Sequence, residues 1–387
     1  MIAGLSIPTT ATSEAMILAQ MNRATEGLSG KRFIGSGGFI DAIEDLAVTR
    51  ACKLFGFDCA NVQVNSGTQA NLAVQQAVCE VGDTILSMDL SHGGHLSHGF
   101  PHSLSGKLFK VIRYGLRPDG SQIDLDSVRS LAKKHRPKLI IAGTSSYPRR
   151  IDYSEFAAIA SEIGSYLLLD ISHPAGLIAA GIIDIPKLPH VIVSFTTEKT
   201  LCGPRGGTIL SSRELKKKIN RAVFPCLQSS FAVSAIAGKA AIFEEARQNE
   251  FQELQKQIIR NAKIFAGKLL ELGLKLLTEG TDTHIIVANL SGHNVSGKDA
   301  EELLLSTNIM ANRQLIPADT LEATAASGIR FGTTCLTIRN ISEPDLSFLA
   351  EQIFKIICNK KVSKAVEMNI KELIMRQSRN VTNALFR

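Results

Sequence analysis

The sequence predicts an α/β protein: a mostly parallel central sheet covered by helices in a large domain, followed by a smaller α+β domain. Three observations lead there. Short apolar runs alternate with segments of helical period through the first two thirds of the chain. At 387 residues the chain is too long for one ordinary core. From about residue 232 the pattern changes to long helical stretches with few strands between them.

The first predicted helix is capped by Asp41, with Glu44 at capping-box spacing, and ends at Gly56. It presents Ile43, Leu46, Ala47, Leu54 and Phe55 on one face. Strand-like runs follow at 60–64, 83–90, 138–143, 166–170 and 190–195, most of them separated by helical patterns. The stretch from 232 to 273 has helical period throughout, and HIIVANL, a helix over about 298–306 and IRFGTT complete the smaller domain. The expected division is an N-terminal arm (1–38), a large domain (39–246) and a small C-terminal domain (247–387), the last boundary falling inside the long helical stretch.

Composition narrows the function classes. Lys and Arg number 43 against 36 Asp and Glu, a net charge of +7, and much of the excess lies in residues 361–387. There Val362, Val366, Ile370 and Leu373 recur at helical spacing, so the basic tail reads as a solvated amphipathic helix rather than a nucleic-acid or membrane footprint. Seven scattered cysteines without a CxxC pair argue against a disulfide framework or zinc cluster and for reduced thiols. The first residues carry no basic leader, and no apolar run reaches membrane-spanning length; a cytoplasmic location is expected.

Ser66, Gly67 and Thr68 stand where a strand turns into a helix, a place where unpaired N–H groups and hydroxyls suit a phosphate, although such residues also cap ordinary helices. YLLLD ends a buried strand on Asp170. HVIVSFTTEK ends the next on Lys199, which sets a carboxylate and an amine at one edge of one sheet. That pair suits pyridoxal 5'-phosphate (PLP), with Lys199 forming the Schiff base and Asp170 keeping the pyridine nitrogen protonated. His92, His95 and His98 recur among glycines. A metal site is disfavoured because no nearby cysteine or carboxylate in the sequence completes it, whereas a flat imidazole suits stacking on a cofactor ring. GSGG at 35–38 and GPRGG at 203–207 match no nucleotide-binding fingerprint.

EGLSGKRFIG, DLSHGGHLSHG, IIAGTSSYPR, LDISHPAGL, FTTEKTLCGPRGG, INRAVFP and SGIRFGTT occur in one order and spacing over about residues 2–358. In these motifs the chain resembles the serine hydroxymethyltransferase family, whose fold is the type I, aspartate aminotransferase-like PLP fold. The resemblance implies Lys199 as the Schiff-base lysine, Asp170 as partner of the ring nitrogen, His95 stacked on the ring and His173 beside its 3-oxygen. It places Ser66, Gly67 and Thr68 on the phosphate with Ser145 alongside, Arg330 on the substrate carboxylate, and Glu26 as acid/base. It also implies a homodimer with shared active sites.

The departures from the family pattern are specific. Ala24, Phe33 and Ile34 stand where the family carries tyrosines, Glu198 replaces the histidine before the lysine, and Cys202 stands where Arg or Ala is usual. Ser229 and Ser230 replace a Gly–Gly pair, and Gly4–Leu5 a Ser–Glu pair. The expected activity is making or breaking the Cα–Cβ bond of serine or another β-hydroxy amino acid. The lost phenols argue against use of tetrahydrofolate and open the alternative of a folate-independent aldolase or threonine transaldolase. A catalytically weak binding or regulatory homologue is the third reading.

Overall fold

The computed structural model describes residues 1–20, 24–34 and 38–385; of the GSGG segment, residues 35–37 lie outside them. The strands in chain order are β1 (Glu26–Leu28), β2 (Lys31–Ile34), β3 (Cys59–Asn61), β4 (Thr84–Met88), β5 (Lys110–Tyr114), β6 (Leu139–Gly143), β7 (Tyr166–Asp170), β8 (Val191–Thr196), β9 (Gly207–Ser211), β10 (Lys275–Leu276), β11 (Ile285–Asn289), β12 (Asn312–Gln314) and β13 (Gly328–Gly332). Seven of them form one sheet in the order β3-β9-β8-β7-β6-β4-β5. From β8 to β5 all neighbours are parallel, while β9 runs antiparallel to both β8 and β3.

This sheet explains the unbroken apolar runs. In β6 and β7, Ile140, Ala142, Leu167 and Leu169 enter one core, and Leu139, Ile141 and Leu168 enter the core on the opposite face. Both faces are covered by helices, so period-2 alternation carries no polar positions. Because β6, β7 and β8 are parallel and in register, with Gly143 opposite Asp170 and Asp170 opposite Ser194, their carboxyl ends share one edge. The antiparallel β9 begins at that same edge.

The helix expected at Asp41 starts earlier, at Gly38, and runs to Phe55. Asp41 is therefore inside the first turn and is not a cap. Asp41 and Glu44 both take up the Arg32 guanidinium of β2, and Asp41 also accepts the Gly30 N–H at 2.8 Å. The buried face is Ile40, Glu44, Ala47, Ala51 and Phe55, while Leu46 is 44% exposed. Gly56 ends the helix with φ of +71°, as a left-handed terminator does.

The stretch after 232 is two helices, Val233–Glu245 and Asn249–Glu271. Its period is helical on both sides of a break at 246–248, where Gln248 is extended. The second sheet is antiparallel, in the order β10-β11-β13-β12, and packs through Ile286, Ala288, Ile329 and Phe331 on helices Asn249–Glu271 and Glu343–Asn359. The basic tail forms helix Lys364–Leu385, which buries Val366, Ile370 and Leu373 in the same core. Among the described residues no helix is long and apolar enough to cross a membrane.

Candidate active site

At the shared carboxyl edge of β6, β7 and β8 lies a cavity of about 170 Å3, lined by Ser66, Gly67, Thr68, His95, Asp170 and Lys199 of the expected set. Asn71, Thr144, Ser172, Thr196, Glu198 and Arg205 complete the lining. Ser66 caps helix Gly67–Val78, its Oγ accepting the Gln69 N–H at 3.2 Å. A Cβ on Gly67 would overlap Thr196 Cγ2, so glycine is what lets the helix start approach the end of β8.

Asp170 is buried, and both its oxygens have protein partners. Oδ2 accepts from Asn71 Nδ2 at 2.7 Å and meets His98 Nε2 at 2.9 Å, while Oδ1 accepts from the Ser172 N–H at 3.0 Å and its hydroxyl at 2.5 Å. Burial pushes its pKa up, but the His98 hydrogen bond and charge, the His95 charge and Ser172 outweigh burial and hold the carboxyl well below the usual range. It is a permanent carboxylate.

His95 Nδ1 accepts the Ser97 N–H at 3.2 Å, which leaves its hydrogen on Nε2. Burial, with smaller effects of the His98, Lys199 and Arg330 charges, pushes its pKa down to about 4, against the opposing pull of Asp170. The ring is neutral at pH 7. Lys199 stands at the cavity wall, its pKa pushed down to about 8 by burial and by Arg330, with Asp170 and Glu198 pulling it back. A sizeable neutral fraction therefore exists close to neutrality. Glu198 Oε2 accepts weakly from the Gly206 N–H at 3.4 Å.

The match that decides the family covers nearly the whole chain: the model described as serine hydroxymethyltransferase spans residues 1–353. The chain belongs to the serine hydroxymethyltransferase family. Serine hydroxymethyltransferases are PLP enzymes of fold type I, and the mixed, largely parallel seven-stranded sheet is that fold.

The residues present fit PLP. A permanently ionised carboxylate, an amine of lowered pKa and a capped helix N-terminus converge on one cavity. The remaining expected residues lie outside its lining. Ser145 follows lining residue Thr144 and is tied to Arg330, whose Nη1 donates to Ser145 O at 2.7 Å and Oγ at 3.1 Å. Arg330 Nη2 reaches Asn312 Oδ1 at 3.2 Å, and its Nε has no acceptor among the described residues. His173 packs against His284 beside a second, small cavity. Glu26 lies on the β1–β2 hairpin, bridged to Ser230.

The fold also supplies the carboxylate that the local sequence around the histidines lacked: ligand atoms of His95, His98 and Asp170 lie within 4.8 Å of one another. Of the trio, His95 and Asp170 line the cavity, and the His98–Asp170 hydrogen bond already occupies two of its members. Sequence reasoning missed Asn71, Arg205, His284 and Lys239. Lys239 is buried, and its Nζ donates to Val62 O at 2.6 Å, Gly207 O at 2.7 Å and Val64 O at 3.3 Å, directly beneath Gly206. Three carbonyls match the three N–H groups of an ammonium.

Proposed function

We propose that Lys199 binds PLP covalently and that the chain makes or breaks the Cα–Cβ bond of serine or another β-hydroxy amino acid without requiring tetrahydrofolate. One observation carries this reading: Asp170 ends β7, Lys199 lies in the turn three residues past the Thr196 end of the adjacent parallel strand β8 rather than on the strand itself, and both line one cavity with the Ser66–Thr68 helix start. Bound PLP supplies an electron-withdrawing ring that stabilises negative charge at Cα.

The chain's own groups do the rest. Asp170 keeps a proton on the ring nitrogen, and the Ser66 hydroxyl, Thr68 and the free N–H groups of the helix start hold the phosphate. His95, neutral and flat, packs on the ring. Arg330 offers the unpartnered Nε, with its Nη groups anchored on Ser145 and Asn312, to the substrate carboxylate, so the guanidinium plane sets which Cα bond is oriented for cleavage. Lys199 Nζ, with its lowered pKa, takes and returns protons near neutral pH.

Family members are typically oligomeric, and we propose a homodimer with shared sites. Supporting it, the hairpin that carries Glu26 exposes Phe33 at 79% and Ile34, and Leu18 of the neighbouring arm is 87% exposed. Glu26 would then serve the partner's cavity as the acid/base for the substrate hydroxyl. Ala24, Phe33 and Ile34 offer no hydroxyl to a pterin, which favours the folate-independent form of the reaction. The test is glycine formation from serine and from threonine, each with and without tetrahydrofolate. Glycine is expected from a β-hydroxy amino acid in its absence; release from serine only when tetrahydrofolate is added would overturn the folate-independent reading.

A further inference from the structure

His284 ends the turn before β11 and is fully buried, outside the lining of the cofactor cavity. Its Nε2 lies 3.2 Å from Ala3 O and also 3.2 Å from His173 Nδ1. The two rings are tilted by only 18°, with centroids 5.4 Å apart. Nitrogens closer together than the centroids, in nearly coplanar rings, mean an edge-to-edge contact, the arrangement in which an N–H···N bond forms.

A carbonyl oxygen only accepts. A bare Nε2 on His284 would oppose its lone pair to that of Ala3 O in a buried place, so the hydrogen belongs on Nε2. His173 Nδ1 faces the same hydrogen and must then be bare, because two N–H groups cannot point at each other across 3.2 Å. Two further facts agree. Among the described residues His284 Nδ1 has no partner, and a buried acceptor left free is the more tolerable choice than an orphaned N–H. Burial pushes the pKa of His284 down to about 3 and that of His173 well below the usual imidazole value, so each ring carries one hydrogen at neutral pH.

Ala3 is itself fixed. Gly332 N–H donates to Met1 O at 2.8 Å, any Cβ on Gly332 would overlap Ala3 Cα, and Ala3 packs with Ile285, Val287 and Ile316. We propose that His284 is a positioning residue: the Ala3 carbonyl holds the His284 hydrogen on Nε2, and this fixes His173 in the form with its own hydrogen on Nε2. The family resemblance puts His173 beside the cofactor's 3-oxygen; on that reading and on the PLP function proposed above, His173 would be kept as a donor toward that oxygen. The N-terminal segment thus sets a hydrogen position in the site through one intermediate ring.

Neutron diffraction from crystals of the full chain, without and with PLP, reads the ring deuterium positions directly. Deuterium on Nε2 of both His284 and His173 is expected; deuterium on Nδ1 of His173 overturns the proposal. Two variants add an affinity readout by spectrophotometric titration of PLP. His284→Gln keeps an amide nitrogen with two hydrogens, enough for Ala3 O and His173 together, and should bind PLP nearly as tightly as the parent. His284→Leu offers neither and should bind about tenfold more weakly, the scale of one lost buried hydrogen bond. Equal affinity in the Gln and Leu variants would also sink the idea. Should the Leu variant fail to fold, the parent's deuterium positions still decide. Because these readouts need no turnover, a failed serine assay and a wrong hydrogen position are separate results.

Discussion

At the scale of single residues, Arg330 is the sharpest case. Its Nη groups are spent on Ser145 and Asn312, and these anchors orient the free Nε. Lysine would keep a charge but lose the anchors on Ser145 and Asn312 that fix its direction. Arg330→Lys should therefore lower kcat/KM by about 30- to 1000-fold, corresponding to about 2–4 kcal/mol, while PLP content measured by absorbance stays at the parent level. Asp170 was legible in the sequence because it ends an apolar run, and Lys199 because it follows closely on the next one, although its strand stops at Thr196 and the lysine sits in the turn beyond. Asn71 and His284 were not, because what matters is their contact with residues 99 and 111 positions away, Asp170 and His173. Lys239 did leave a signal: it is a lone charge inside the apolar helical run AIAGKAAIF.

At the scale of elements, the site depends on how closely helix Gly67–Val78 approaches β8. Gly67→Ala places a methyl against Thr196 Cγ2, and overpacking of this kind costs about 1–3 kcal/mol. The variant should melt lower and bind PLP more weakly, and adding Thr196→Ser, which removes that methyl, should restore both; thermal unfolding and PLP titration check it. A double variant no better than the single one would place the strain elsewhere. Strands β6, β7 and β8 were readable from composition, and the boundaries of the helix at 38–55 were not. Asp41 and Glu44 have capping-box spacing, yet their carboxylates serve Arg32 on the hairpin, a tertiary demand that local spacing does not encode. The break at 246–248 falls where neither glycine nor proline announces it.

At the scale of the whole molecule, several imidazoles are buried in neutral form. His95 has its pKa pushed down to about 4 and His284 to about 3, against about 6.5 in the unfolded chain. Between those values the unfolded chain binds more protons than the folded one. Stability therefore rises with pH across this window, and it is lost as pH falls from about 6.5 to about 4 for His95 and on to about 3 for His284. The melting temperature of the protein without cofactor should drop steadily between pH 7 and pH 5, and His284→Gln should flatten that slope. A melting temperature constant over this range would mean that these rings gain protons without unfolding.

The docking of Met1 and Ala3 against Gly332 also bears on how the protein is made. Met1 and Ala3 find their place only after Gly332 has followed them off the ribosome, more than three hundred residues later. At about 5–20 residues per second, Met1 and Ala3 wait on the order of tens of seconds for this partner. The seven-stranded sheet has all its strands by Ser211 and can assemble during that interval, but the ring chain from Ala3 through His284 to His173 closes only after that sheet is complete. Translation products that stop between Lys199 and β13 carry both Asp170 and Lys199 and still lack the strand that seats Met1 and Ala3.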